Sequence, residues 1–327
     1  MTRRIGLHGS WLVLACMLFA GLALTRGALP LSAEQLWQVL CGGGAANVRL
    51  IVLEWRLPRV LMALLIGAAL GVSGAIFQSL LRNPLGSPDI LGFNTGAYSG
   101  VLAALVLFSQ NMAAITGAAL TGGLTTAALV YLLAWRNGVQ TFRLIMVGIS
   151  VRALLMALNS WLIISASLDA ALSAGLWSAG SLNGISWAKT PPVIAVLLAS
   201  LLLVALAARR MRLLAMGEDI ACALGVPVER SRLWLMLAGV LLTAASTALA
   251  GPISFVALLA PQIARRLSGG EKGALTLAAL CGALLLLAAD YAAQHLFLPY
   301  QVPAGVITVS LGGLYLITLL VREARRP

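Results

Sequence analysis

The chain has 327 residues, of which 61% are hydrophobic and only 10% charged, against about 25% charged in a soluble domain. That composition excludes a water-soluble globular fold. The formal charge of +12 would suit a nucleic-acid binder, but the basic residues sit between long apolar runs, so the charge is a membrane-topology signal and nucleic acid is not an expected partner.

A hydrocarbon core of about 30 Å needs roughly 20 apolar residues per helix, and by that measure about ten spans are predicted. They lie near 10–25, 58–81, 91–108, 112–134, 144–165, 191–208, 233–250, 252–267, 273–292 and 304–321. These runs are too long for barrel strands, so the fold class is all-α integral membrane, one transmembrane domain over 1–327. The first span follows Arg3-Arg4 and reads as retained, since no small-residue cleavage site precedes Arg26.

Taking the N-terminus as cytoplasmic puts Arg82, Arg136, Arg143, Arg209, Arg210, Arg212, Arg230, Arg232, Arg265, Arg266, Lys272, Arg322, Arg325 and Arg326 on the inner side with Arg3 and Arg4. Arg26, Arg49, Arg56, Arg59 and Lys189 fall outside. This asymmetry follows the positive-inside rule and predicts that both termini are cytoplasmic.

After the first span, Ser32 with Gln35 forms a capping-box pattern that predicts a short periplasmic surface helix near 32–41, stopped by Gly42-Gly43-Gly44. The second span opens on Arg56-Leu57-Pro58-Arg59, positive charge on the side where the topology rule disfavours it. Either these arginines reach lipid headgroups or they dock an acidic partner. Within that span Ala63, Gly67, Gly71 and Gly74 share a face on which another helix backbone can approach closely.

Arg152 is the one basic residue placed deep in a span, and a charge there must be paired or face water. It either bonds helix-end carbonyls, Asp169 or Asp290, or forms with Met156 and Asn159, on the same helical face, the wall of a pathway for an anionic solute. The stretch 171–188, too polar to span and too apolar for a free loop, is expected to dip back toward a cavity mouth. The hydrophilic segment near 211–231 predicts two short helices split at Gly225 and Val226-Pro227, with Glu218 and Asp219 at a helix N-terminus and Ile220, Ala221 and Leu224 as a small apolar face. Such a knob suits docking of a cytoplasmic partner. The span 252–267 is short and contains Pro261, a pattern of broken helices beside cavities.

Only 2 histidines and 4 scattered cysteines occur. There is no nucleophile-elbow, zincin or P-loop motif. No enzyme, disulfide, metal site or bound cofactor is therefore expected. Any energy source then belongs to a partner or to an ion gradient, and the acids, clustered at span ends, weaken the reading as a gradient-driven carrier without removing that alternative.

On these residues the chain resembles the permease family of bacterial ATP-binding-cassette importers for ferric siderophores, haem and vitamin B12. The likeness runs through Arg56-Leu57-Pro58-Arg59, Gly67-Ala68-Ala69-Leu70-Gly71, Asn83-Pro84-Leu85-Gly86-Ser87-Pro88-Asp89, Gly217-Glu218-Asp219, Leu224-Gly225-Val226, Gly251-Pro252-Ile253-Ser254-Phe255 and Pro261-Gln262-Ile263-Ala264-Arg265. Strings such as Trp177 to Gly184 resemble its ferric-enterobactin branch; haem, cobalamin or a hydroxamate siderophore are the alternative cargoes.

The resemblance implies a type II importer in the bacterial inner membrane, with ten helices per subunit and a paralogous permease as heterodimer partner. It also implies two cytoplasmic ATPase subunits that bind ATP and Mg2+, and a periplasmic siderophore-binding protein. It assigns Arg56 and Arg59 to docking of that binding protein, and Glu218, Asp219, Ala221, Leu224 and Gly225 to coupling with the ATPase. Gln262 stands where the family often has His, and Gln294-His295 where it has a third outer basic residue.

Overall fold

An apolar chain in lipid satisfies its backbone within helices, and the computed structural model is built of them. It describes residues 2–27, 29–107, 111–136, 140–269, 273–298 and 300–324. Lys272, Arg325 and Arg326, used above for topology, lie outside the described residues, as do the side chains of Arg3, Arg4, Asp169 and Arg322. In chain order the helices are α1 (Thr2–Thr25), α2 (Ala33–Leu40), α3 (Ala46–Arg49), which runs through a π-helical turn (Leu50–Arg56) into α4 (Leu57–Leu80), α5 (Phe93–Leu107), α6 (Met112–Ala134), α7 (Thr141–Ser165), α8 (Leu168–Ser178), α9 (Pro191–Ala215), α10 (Glu218–Ala223), α11 (Val228–Ala250), α12 (Val256–Ser268), α13 (Ala274–His295) and α14 (Ala304–Ala324).

Seven of these segments are long and apolar enough to cross a membrane: Gly6–Thr25, Ala46–Leu80, Met112–Ala134, Thr141–Ser165, Pro191–Ala215, Val228–Ala250 and Ala274–His295. The chain is a multi-pass membrane protein. α5 and the apolar part of α14 are shorter, and α12 has 13 residues ending in Arg265-Arg266 and Ser268, which is why the seven are fewer than the runs read from the sequence.

The Ala46–Leu80 segment and α11 are central, with 78% of the most apolar window buried in each, against 11% for α1, 17% for α7 and 22% for α9. The peripheral helices keep apolar side chains such as Leu154, Ile164 and Leu206 exposed, as a lipid-facing or partner-facing surface requires.

The small face of α4 is used in full. Gly67 lies against the backbone of Gly282 and Ala283, Gly71 against Ala278, and Gly74 against Ala257, so any Cβ there would overlap a carbonyl of α13 or α12. Pro261 does not break α12, which corrects the reading of an interrupted span: the helix is continuous and Val256 to Gln262 are buried in protein, while Pro261 and Arg265 line a cavity of about 160 Å³. Pro261 leaves the Ala257 carbonyl without its intrahelical donor, and that carbonyl is the one that rests on Gly74. The next carbonyl, Leu258, accepts a hydrogen bond from Gln78 Nε2 of α4 at 3.0 Å.

Two ends of the bundle are defined by connections. At one end, Ser32 caps α2 through the reciprocal pair with Gln35, and Trp187, just before α9, donates to the Leu53 carbonyl at 2.8 Å. At the other end lie the C-termini of α4 and α9 and the short α10. The 171–188 stretch forms α8 and then a loop that docks inward: Ser181 N–H donates to Ala250 and Gly305 N–H to Gly180. It thereby joins the end of α11 to the start of α14.

Candidate functional site

Three polar clusters interrupt the apolar bundle, one at the α2 end, one midway along α7 and one at the α10 end. At the α2 end, Arg59 on α4 makes a paired contact with Asp290 on α13, Nε to Oδ2 at 2.9 Å and Nη2 to Oδ1 at 2.8 Å. Gln294, one turn on, donates to the same carboxylate at 2.9 Å. The Asp290 side chain is 3% exposed and that of Arg59 18%, so this is a buried, fully bonded ion pair that ties the start of α4 to the end of α13. Arg56 is engaged differently, its two terminal nitrogens donating to the carbonyls of Leu24 at 2.7 Å and Leu29 at 2.6 Å. Sequence reasoning put both arginines on one outer surface; the structure commits Arg59 to an internal carboxylate and leaves the Arg56 charge without an acid.

Midway along α7, Arg152 does not meet Asp290, which Arg59 holds; the side chain of Asp169, the other acid considered, lies outside those described. Asp89, in the loop between α4 and α5, lies within electrostatic reach of Arg152. That loop reaches α7 because Gly92 and Leu91 pack on Arg152 and Gly148. Asp89 also accepts from Asn94 Nδ2 at 2.9 Å and from the backbone N–H of Phe255, while Asn94 accepts from the Thr247 hydroxyl of α11. Phe255 has a left-handed backbone at φ +68°, a costly conformation for a bulky residue. Asp89 therefore gathers α5, α7, α11 and the turn before α12 at one point.

The other two residues of the α7 stripe separate. Asn159 is buried, with its Oδ1 lacking a hydrogen-bond partner, and Met156 is 52% exposed. The stripe thus runs along the edge of the α7 contact and does not present three side chains to one space.

At the α10 end, Glu218 accepts from Arg232 at 2.7 Å and Arg82 at 3.1 Å. Arg232 also binds Glu229 at 2.8 Å, which accepts from the Tyr131 hydroxyl at 3.3 Å. Arg82 reaches this network because α4 ends in a Schellman turn, with Asn83 N–H bonding to Gln78 and Arg82 N–H to Ser79 and Arg82 itself at φ +48°. α10 ends the same way, with Val226 N–H on Ala221 and Gly225 N–H on Cys222; Gly225, at φ +76°, is where a side chain would be strained. Ala221 turns fully inward, a correction to its place on the apolar face, because it packs under Val226 in that turn. The exposed face is Met216, Ile220 and Leu224, at 62%, 46% and 60%. Arg82 and Arg232, missed as site residues, carried a signal only in being basic next to the conspicuous Glu218 segment.

The sequence pattern of the FecCD transport family matches residues 12–322. The chain belongs to the FecCD transport family. It is 62% identical over 326 residues, 100% of this chain and 99% of the other, to the ferric enterobactin transport system permease protein FepG of Escherichia coli (strain K12). It is 40% identical over 319 residues, 95% of this chain and 89% of the other, to the achromobactin transport system permease protein CbrC of Dickeya dadantii (strain 3937). A solved metal-chelate type ABC transporter in an inward-facing conformation superposes with a TM-score of 0.84 at 29% identity, covering 96% of this chain and 98% of that one. Both relatives are named as permease proteins of transport systems.

Proposed function

We propose that this FecCD member is the permease subunit of an ATP-driven importer that moves ferric enterobactin from periplasm to cytoplasm across the bacterial inner membrane. The observation that carries the cargo is identity of 62% across the full chain to a ferric enterobactin permease. In this reading the seven long spans and the shorter α5, α12 and α14 make ten crossings. An even number returns both termini to the cytoplasm, and the α2 end is then periplasmic.

The chain itself holds no cofactor; ATP and Mg2+ belong to two cytoplasmic ATPase subunits, and a paralogous permease completes the pathway. Met216, Ile220 and Leu224 form the apolar tip that seats in the ATPase, with Asp219 exposed beside it and Glu218 holding α10 to the bundle through Arg82 and Arg232. A siderophore-binding protein docks at the periplasmic end near Arg56 and Arg59. Arg152, Asn159 and Met156 belong to the helix that borders the pathway.

Uptake of radiolabelled iron as ferric enterobactin, in cells lacking this gene and with it restored, tests the reading. Loss on deletion and recovery on restoration is expected. Unchanged uptake in a strain with no second importer removes the ferric enterobactin assignment.

A further inference from the structure

The α10 end of the bundle holds a basic hollow apart from the Glu218 network. This cavity of about 160 Å³ lies between α4, α9, α12 and the start of α13. Arg212 of α9 and Arg265 of α12 line it together with Ser79 and Thr276, and among the described residues no acid does. Two helices thus bring guanidinium groups to one space. Arg265 is set in position by donating from Nη2 to Oε1 of the buried Gln78, whose own amide is fixed on the Leu258 carbonyl. Arg212 is exposed and forms no ion pair among the described residues. The start of α13 adds to this positive field, because its N-cap is Gly273, which has no side chain to accept from the first-turn N–H groups.

The rest of the wall is apolar, with Ala75 of α4 and Ala208 and Met211 of α9. Depth points the same way. α9 carries no charge from Pro191 to Ala208 and then reads Arg209-Arg210-Met211-Arg212, so the hollow lies where the helix leaves the hydrocarbon and meets the headgroups. We infer that it is a binding site for the phosphodiester of an anionic membrane lipid, seated on Arg212 and Arg265, with an acyl chain against Ala208 and Met211. Basic pockets between membrane helices recognise acidic headgroups in this way. A soluble phosphate compound would share the guanidinium contacts and gain nothing from the apolar wall, which selects the lipid. A headgroup held there bridges α12 to α9, which leads through Gly217 into α10. This goes beyond the transport reading and is independent of the cargo.

The test uses the complete transporter, with its partner permease and ATPase subunits, in phosphatidylcholine nanodiscs that carry a small fraction of phosphatidylglycerol with a photoreactive acyl chain. Crosslinked peptides of this chain are mapped by mass spectrometry. Labelling is expected on the α9 segment around Ala208 and Met211 and on the start of α13, and phosphatidylcholine with the same photoreactive chain should label them far less. Arg212→Glu is expected to lower labelling by phosphatidylglycerol about tenfold, while Arg212→Lys keeps most of it. Arg209→Glu, on the same basic run but outside the cavity lining, should change it less than about twofold. Melting of the complex should be the same for all three variants, which separates loss of the site from misfolding. Equal labelling in Arg212→Glu and wild type, or an equal loss in Arg209→Glu, overturns the inference, the second by showing a diffuse surface field in place of a built site. Displacement of the label by inorganic phosphate overturns the lipid as occupant and assigns the hollow to a soluble phosphate.

Discussion

The two ends of the bundle handle charge in opposite ways. At the α2 end the Arg59–Asp290 pair is buried and saturated; at the α10 end Glu218 is 46% exposed, binds Arg82 and Arg232, and shares Arg232 with Glu229. A buried pair locks two helices, since removing one partner strands the other charge in a low-dielectric site. An exposed network contributes little to stability and leaves its members free to respond to another protein. The α2 end of α4 and α13 is thus the frame, and in the proposed reading the α10 end is where force from outside the chain enters.

The largest effect that sharpens this comparison is on Asp290. Asp290→Ala should destabilise the protein by about 3–5 kcal/mol, because Arg59 is left buried and unpaired, whereas Arg59→Met with Asp290→Leu should recover most of the loss. Thermal denaturation in detergent, monitored by size-exclusion chromatography, decides it; a single variant as stable as wild type would break the contrast. A smaller effect is expected at Glu218, where Glu218→Gln should cost under about 1 kcal/mol and yet reduce transport-coupled ATP hydrolysis by releasing α10 from Arg82 and Arg232. The smallest change in stability is predicted for Leu224→Asp, within about 0.5 kcal/mol, with capture of the ATPase subunit lost in pull-down. If Leu224→Asp captures the ATPase normally, the exposed tip is not the coupling surface.

Much of this was legible where the information is local. The capping box at Ser32, the small face of α4, the uncharged run to Leu81 and the knob around Glu218 each follow from residues a few positions apart. Long-range pairing was not legible. Asp290 was identified as a carboxylate near a span end, but nothing in its neighbourhood names Arg59 as its partner. Arg152 was marked as a charge needing company, and Asp89, which lies within its electrostatic reach, was not among the acids considered, since only the inward fold of the α4–α5 loop brings it near. Pro261 reads as a break because sequence shows the lost N–H and not the Gly74 face that receives the freed Ala257 carbonyl. Ala221 reads as surface because a Schellman turn, invisible in hydropathy, rolls it under Val226.

By itself the sequence determined the solvent, the helical class and most crossing segments, because the cost of leaving a backbone unsatisfied or a charge unpaired in hydrocarbon is paid residue by residue along the chain. It also placed the protein in its family, through motifs distributed over nearly its whole length. Only the tertiary structure decided what each charge faces. Arg56 and Arg59 are alike as residues and differ in what stands opposite each: two carbonyls and a buried carboxylate. That difference is a matter of distance across helices, and composition does not encode it.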